Sequence, residues 1–211
     1  MTKRSISSSS LDLMWGDEEN APKITKCESA NPLIYVSDGI VHFSAGIDKL
    51  SIEIVTREMS KLVEKFYKTH DETDECNVTY VVDTPGGHVN AILKFVDFID
   101  LTKQKYPNVK FTSIISGMVA SAGTIMCMVA DKRCMTKHAH AMIHELSTGN
   151  SGRYTQLMAY TDFLKDLHDK LVDIYHKRTK ISKERLEVLL KDDTWYNAVD
   201  YLKEGFIDEI K

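Results

Sequence analysis

Apolar and polar residues alternate along the chain in two different rhythms. The runs at 78–82 and 109–115 are rich in β-branched and aromatic residues, which is typical of strands buried in a parallel sheet. At 50–67 and 88–101 apolar residues recur every three or four positions, which predicts helices with one buried face. The same criteria predict shorter strands at 34–36, 40–43, 134–136, 139–143 and 206–207. They also predict helices opening at Gly117, at about 154–176, after Ser182 and at 198–202, with a turn at 192–195.

A strand, a glycine-containing turn and a helix follow one another in this order twice between residues 78 and 130. This alternation predicts an α/β fold built from βαβ units, with a mostly parallel sheet. Ligand sites in such sheets lie beyond the carboxyl ends of the strands. The glycine turns at 85–87 and 117–123 fall at that edge, so we expect a functional site there.

The first 30 residues differ in composition from the rest of the chain. They are serine-rich and then acidic, with few apolar positions, which predicts a mobile N-terminal arm at 1–30. A docking or pore-lining segment that orders on assembly is the alternative. No domain boundary is evident after that point, so residues 31–211 are predicted to form a single domain.

Composition and charge exclude several classes of protein. The net charge is −4 and lysine and arginine form no cluster, which argues against a nucleic-acid partner. No apolar run approaches the roughly 18 residues of a membrane span, and the start of the chain lacks a signal-peptide core. We therefore expect an intracellular protein. No Cys-x-x-Cys pair occurs among the four cysteines, Cys27, Cys76, Cys127 and Cys134, so we expect no disulfide framework and no zinc site.

The residues needed for serine-dependent hydrolysis are present at the predicted edge of the sheet. Ser121 lies between small residues at the start of an apolar helix, and His144 ends an apolar strand. Asp193 could orient that histidine, and the backbone N–H groups of Gly86 and Ala122 could stabilise an oxyanion. Each residue also has a structural explanation: a helix cap, a packed histidine, an ordinary turn former or a tight turn. Composition and spacing leave both interpretations open.

Four motifs, in order, carry a resemblance to a known family. The segment 82–89, with Thr-Pro-Gly-Gly, is similar to a Ser-Pro-Gly-Gly turn, and 117–123 is similar to Gly-x-Ala-Ala-Ser-Met-Gly. Residues 141–144 match Val-Met-Ile-His in three of four positions. The acid and aromatic residues of 193–198, followed by 201–208, resemble the family's C-terminal end. The chain thus resembles the proteolytic subunit of Clp protease, a self-compartmentalised serine peptidase.

The resemblance covers residues 34–210 and implies a fold and a set of roles. The expected fold is the Clp-type, crotonase-like βαβ superhelix, with a protruding strand-helix handle at about 145–178. Ser121 would be the nucleophile, His144 the base and Asp193 the orienting acid, with Gly86 and Ala122 as oxyanion donors.

The same resemblance implies an assembly and a partner. Two stacked heptameric rings would enclose the active sites, and an AAA+ unfoldase would feed them unfolded polypeptides. The expected location is the cytoplasm, which would be a host's for a phage protein, with an organelle stroma or matrix as the alternative. No Walker-type loop occurs in this chain. ATP would therefore be used only by the partner, and this subunit would need no cofactor and no metal.

Departures from the family's motifs keep two other functions in view. Thr84, Val119 and Ala122 replace a serine, an alanine and a methionine, and Glu145 replaces a glutamine after the histidine. Asp192 stands where an arginine is common and is itself an alternative acid. A ring scaffold with little activity of its own, paired with an active paralogue, is one alternative. A crotonase-like acyl-CoA enzyme is the other.

Overall fold

A computed structural model describes residues 33–211 of the chain. The prediction of a mobile arm at 1–30 lies outside these residues. The described part contains eight strands and six helices in the order β1 (Ile34–Ser37), β2 (Ile40–Phe43), α1 (Lys49–Tyr67), β3 (Cys76–Thr84), α2 (Val89–Lys105), β4 (Val109–Ala120), α3 (Ala122–Met128), β5 (Lys132–Met135), β6 (His140–Ile143), α4 (Tyr154–Arg178), α5 (Lys183–Leu190), β7 (Thr194–Asn197), α6 (Ala198–Glu204) and β8 (Glu209–Ile210).

The sheet is mostly parallel, as the strand-turn-helix order predicts. Its strands run in the order β1-β2-β3-β4-β5-β8, and β6 joins β4 at one edge and β7 at the other. Only the β1–β2 and β6–β7 pairs are antiparallel among the described strands. The predicted α/β class with βαβ units is confirmed, and helices α1, α2 and α3 pack on this sheet.

Strand β4 pairs with two different strands in succession along the same side. Its residues Thr112–Ile115 pair with β5, whereas Met118–Ala120 pair with β6. The change of partner coincides with a register shift against β3, because Val82 faces Ile115 but Thr84 faces Val119. Two extra residues of β4 are therefore accommodated in a bulge, and bulges bend a strand and re-aim the residues beyond it.

Gly117 and Asp83 shape this bulge. Gly117 has a φ of +87°. A Cβ at Gly117 would lie 2.9 Å from Asp83 Oδ1, so a larger residue would be both strained and crowded. The same carboxylate oxygen accepts the N–H of Met118 at 3.0 Å. The pair thus directs the end of β4 toward β6.

Helix α3 is buried along its whole length, as its unbroken apolar run predicts. Two side chains on the sheet satisfy carbonyl groups near its C-terminus. The Tyr80 hydroxyl donates to the Met126 carbonyl at 2.8 Å, and the Ser113 hydroxyl donates to the Cys127 carbonyl at 3.0 Å. A short buried helix needs such partners because its last carbonyls have none within the helix.

Three local predictions are wrong. The helix expected to open at Gly117 begins at Ala122, because pairing with β6 keeps residues 118–120 in β4. Residues 194 and 195, expected in a turn, belong to β7, which pairs with β6. The last strand is Glu209–Ile210, since Phe206 and Ile207 are buried by packing and not by strand pairing.

Helix α4 packs on the domain along its C-terminal part only. Leu167, Val172 and Tyr175 are buried, whereas Tyr154 and Phe163 are exposed. The helix of the predicted handle is therefore present. The strand of the handle is not formed within this single chain, since the residues from 144 to 153 have no regular secondary structure. No helix within residues 33–211 has both the length and the apolar character needed to cross a bilayer.

Arg133 and Asp208 join three elements at the sheet edge. The Arg133 guanidinium donates to Asp208 from Nε at 3.0 Å and from Nη2 at 2.5 Å, and it also donates to the Arg178 carbonyl at 2.8 Å. The backbone N–H of Arg133 reaches the same carboxylate at 2.8 Å. Burial opposes ionisation of Asp208, but these hydrogen bonds outweigh it and hold its pKa below the ordinary value.

We predict that Asp208→Asn lowers the free energy of unfolding by about 1 kcal/mol at pH 7, a modest figure because solvent screens this partly exposed pair. The depressed pKa in the folded state means that the stabilisation is complete above the ordinary carboxyl value and is lost as pH falls through the folded value. Urea titrations at fixed protein concentration should show the wild-type advantage shrinking below about pH 4. Asp166→Asn, which removes an exposed pair with Lys170, serves as the control. An advantage of constant size at pH 7 and pH 3.5 would contradict the prediction.

Candidate active site

Three paired strands bring the predicted catalytic residues to one edge. Ser121 follows the last residue of β4, and His144 follows the last residue of β6. Asp193 precedes the first residue of β7, which runs antiparallel to β6, so its start lies beside the end of β6. The register places Ala120 opposite Met142, which lie one residue before Ser121 and two residues before His144. Sheet pairing alone therefore gathers side chains that are up to 72 positions apart along the chain.

Ser121 occupies the N-cap position of α3 but does not act as a cap. Its side chain makes no capping hydrogen bond, and its Oγ lies 2.7 Å from His144 Nε2. Its φ of +55° and ψ of −128° are unusual for a residue with a Cβ, and strain of this kind clusters at active sites. The Ser121 N–H donates to the Met142 carbonyl at 2.9 Å, which ties the turn to β6.

His144 and Asp193 approach each other without forming a hydrogen bond. His144 Nδ1 is 3.6 Å from Asp193 Oδ1, which exceeds hydrogen-bond length. The His144 side chain is 24% exposed and that of Asp193 is 69% exposed. Asp193 is the only carboxylate within 4 Å of this ring among residues 33–211, and Asp192 makes no such approach. Catalytic hydrogen bonds are often long in ligand-free structures and shorten when substrate binds.

The Pro-Gly-Gly turn after β3 lies directly against the serine. Gly86 has a φ of +91°, and a Cβ there would lie 2.5 Å from the Ala120 carbonyl oxygen and 2.8 Å from Ser121 Cβ. Its N–H donates to Thr84 Oγ1 at 3.2 Å, and that hydroxyl donates to the Ala45 carbonyl at 2.6 Å. The Gly86 N–H is therefore already hydrogen-bonded within the turn. Thr84 supplies the hydroxyl that serine has in the similar Ser-Pro-Gly-Gly turn.

Gly87 is the glycine of this turn that lines the cleft beside Ser121 and Ala122. Its N–H makes no hydrogen bond to any residue of 33–211, which leaves it available to an oxyanion. A Cβ at Gly87 would lie 2.1 Å from the Ile47 carbonyl oxygen, so only glycine fits. Sequence reasoning missed Gly87. The doubled glycine was the available signal, but choosing between the two positions required knowing that Thr84 accepts the N–H of Gly86.

Ala122 is the first residue of α3, so its N–H has no acceptor within the helix. It lines the same cleft as Ser121 and Gly87. A substrate carbonyl carbon at Ser121 Oγ could therefore place its oxygen near two backbone donors, at Ala122 and Gly87. Such paired donors are what tetrahedral intermediates of acyl transfer require.

The cleft has a volume of about 320 Å³ and an apolar interior. Helices α2, α3, α4 and α5 and the segment after β6 each contribute to its wall. Burial raises the pKa of the Tyr175 phenol, so this side chain stays protonated in the wall. An apolar side chain of a polypeptide would fit against the principal lining residues, which are Val89, Ile92, Ile125, Met142, Leu146, Leu171 and Leu190.

Comparison with known proteins gives a consistent result. The family model described as Clp protease matches residues 44–211. The chain is 29% identical over 153 residues to the ATP-dependent Clp protease proteolytic subunit of Deinococcus radiodurans, covering 72% of each chain. It is 31% identical over 149 residues to the subunit of that name in Streptococcus pneumoniae, covering 69% of this chain and 72% of the relative.

Subunit 1 of Chlamydia trachomatis is 28% identical over 137 residues, which cover 63% of this chain and 69% of the relative. The matched region begins directly after β2. It contains the other six described strands, the six described helices and every residue that lines the cleft. The family model spans well over half of the chain, and the fold agrees with it. The chain belongs to the Clp protease family.

Proposed function

We propose that this protein is a serine endopeptidase, the proteolytic subunit of an ATP-dependent Clp-type protease that degrades unfolded polypeptides. The observation that carries the proposal is the 2.7 Å contact between Ser121 Oγ and His144 Nε2 at the mouth of an apolar cleft. A serine whose hydroxyl caps no helix and meets an imidazole nitrogen is arranged for proton transfer and nucleophilic attack. Membership of a family of proteases supports this assignment.

The geometry suggests the following sequence of steps. His144 Nε2 takes the proton of Ser121 as Oγ attacks the carbonyl carbon of the scissile peptide bond. The carbonyl electron pair becomes an oxyanion, which the N–H groups of Ala122 and Gly87 stabilise. The intermediate collapses, the C–N bond breaks, and the departing amine takes the proton from Nε2. Water then gives a proton to His144 Nε2 and attacks the acyl carbon. The second intermediate collapses, the ester C–O bond breaks, and Ser121 Oγ takes the proton from Nε2 as the acid product leaves.

Asp193 is the acid of this proposal. For Nε2 to act as a base, the ring must carry its other proton on Nδ1, and Nδ1 is the atom that faces Asp193. The carboxylate would select that tautomer and stabilise the imidazolium that forms. Its high exposure implies that the interaction strengthens when substrate or a neighbouring subunit excludes water, because charges attract more strongly in a drier site.

The exposed part of α4 supports an oligomer in which this helix contacts another copy. Tyr154 is 76% exposed, and Met158 and Phe163 are each 47% exposed, which is a large apolar surface for one half of a helix. Two stacked heptameric rings joined through residues 145–178 would bury it and enclose the active sites. An AAA+ unfoldase would supply ATP hydrolysis and unfolded substrate in the cytoplasm, with no cofactor or metal in this subunit.

The 3.6 Å separation of His144 from Asp193 also favours a second candidate, a weakly active ring subunit that pairs with an active paralogue. The two candidates differ in the reactivity of Ser121. The acyl-CoA alternative has no support from the family match.

We predict that Ser121→Ala lowers peptide hydrolysis by about 10⁶-fold in kcat, the effect of removing a nucleophile from a serine protease. A fluorogenic peptide with an apolar residue before the scissile bond is the substrate. Wild type should also be labelled at Ser121 by a peptidyl phosphonate or a β-lactone, and the variant should not. Ser116→Ala, a nearby serine outside the cleft, is the control. A well-folded wild-type oligomer that is neither labelled nor active would favour the scaffold.

Aspartates 192 and 193 can be separated by matched substitutions. Asp193→Asn should lower kcat by about 10⁴-fold, because an amide favours the wrong tautomer of the base. Asp192→Asn should change kcat less than threefold, since its carboxylate does not approach His144. Measuring both variants with the same peptide decides the assignment. The reverse order of effects would make Asp192 the acid.

Phe163→Asp tests the role proposed for α4. A buried charge at a contact between rings is costly, so the variant should form single rings. Fourteen subunits of 24.0 kDa give about 336 kDa and seven give about 168 kDa, which light scattering distinguishes readily. Thr161→Asp places the same charge on the opposite face of the helix, since two residues span about 200°. Rings that stay paired in Phe163→Asp would exclude this helix from the contact.

A further inference from the structure

A chain of buried hydroxyl groups connects α4 to the backbone of the serine. Thr124 Oγ1 lies 2.6 Å from the carbonyl oxygen of Ser121 and 2.5 Å from the phenolic oxygen of Tyr175. Thr124 is fully buried and Tyr175 is 3% exposed. Tyr175 comes from the part of α4 that packs on the domain, 51 positions from Thr124. The contact of Thr124 with Ser121 is local, within the first turn of α3, whereas tertiary packing brings Tyr175 to Thr124.

The donors in this chain can be assigned from the number of hydrogen atoms. A carbonyl oxygen only accepts, so the single hydroxyl hydrogen of Thr124 must point to Ser121. Thr124 Oγ1 then has only lone pairs to offer, and Tyr175 must be the donor to it. Burial raises the pKa of Tyr175, so the phenol carries its proton at neutral pH and can donate it.

The Ser121 carbonyl and the Ala122 N–H belong to the same peptide unit. Because this unit is planar and trans, its C=O and N–H point in opposite directions, and fixing one fixes the other. Hydrogen bonds that hold the Ser121 carbonyl oxygen toward Thr124 therefore keep the Ala122 N–H pointing away from Thr124. That N–H is one of the two donors proposed for the oxyanion.

The backbone at this point needs such support. Ser121 has a φ of +55°, a value that residues with a Cβ rarely adopt. Rotation of the adjoining Ser121–Ala122 peptide could relieve this strain. The Ser121 N–H is tied to Met142, and the Ser121 carbonyl also accepts the N–H of Thr124 at 3.0 Å. The hydroxyl of Thr124 adds a second and shorter bond to the carbonyl, and Tyr175 orients that hydroxyl.

We propose that Thr124 and Tyr175 are positioning residues that hold the Ser121–Ala122 peptide in the orientation needed to stabilise an oxyanion. Neither hydroxyl touches the reacting atoms. Each acts through the peptide, and Tyr175 makes the orientation depend on how α4 packs against α3. This inference rests on the proposed serine peptidase function and adds to it a specific pair of side chains.

Three substitutions test the pair. Tyr175→Phe removes only the donor and keeps the ring in the wall of the cleft, so kcat should fall about tenfold with KM changed less than twofold, a part of the 10²–10³-fold cost of losing a donor. Thr124→Val removes the hydroxyl at constant shape and should cost more, on the order of 10²-fold in kcat. Thr124→Ser restores the hydroxyl and should recover kcat to within threefold of wild type.

Tyr201→Phe is the matched control. Tyr201 is buried in the same aromatic cluster, and its hydroxyl has no hydrogen-bond partner among residues 33–211. Its removal should leave kcat within twofold of wild type. A loss in Tyr201→Phe equal to that in Tyr175→Phe would overturn the proposal, because it would show a general effect of the cluster.

Crystal structures of wild type, Thr124→Val and Thr124→Ser provide a readout that does not depend on activity. We expect the Ser121–Ala122 peptide to be rotated in Thr124→Val and restored in Thr124→Ser. If wild type neither hydrolyses peptides nor is labelled at Ser121 but the rotation occurs, the positioning role stands and the peptidase proposal fails. If wild type is active but Thr124→Val and Tyr175→Phe keep its kcat and peptide orientation, the positioning role fails.

Discussion

The pairing of β6 with β4 on one side and β7 on the other is the constraint on which the site depends. The serine, the histidine and the aspartate each stand one residue beyond a strand of this unit, so their separations are set by backbone hydrogen bonds. The unit exists because the bulge around Gly117 gives β4 a second set of residues to pair. Without it β4 would stay beside β5, and the serine would end far from its base.

Much of this arrangement could be predicted from the sequence. The apolar runs indicated the parallel sheet, and the glycine turns at the carboxyl ends of its strands indicated where the site would lie. The end of β4 could not be found this way, because residues 117–120 carry no polar side chain and suit a buried helix as well as a strand. Their state is decided by a long-range partner, β6, and by the hydrogen bond that the Met118 N–H donates to the Asp83 carboxylate.

The individual site residues show the same division. Ser121 and His144 were proposed from their neighbours, and their contact depends on strand register, which local patterns do not determine. Whether Gly86 or Gly87 can donate to an oxyanion depends on which backbone N–H the Thr84 hydroxyl accepts. The orientation of that one side chain is not encoded in a local pattern. Thr124 and Tyr175 carried no signal at all, because a buried threonine and a helical tyrosine are ordinary core residues until they meet.

The position of Asp193 has a consequence for how this chain can evolve. Its carboxylate is exposed, and its contact with His144 is its only charge pairing within residues 33–211, whereas Ser121 and Gly86 are embedded in strained and crowded backbone. Loss of the acid would therefore leave the architecture intact, whereas a larger residue at Gly86 would disturb it. A lineage with several copies of such a gene can silence one copy at this position and retain a subunit that still assembles. A form of this chain without the acid is thus one substitution away from the form with all three site residues.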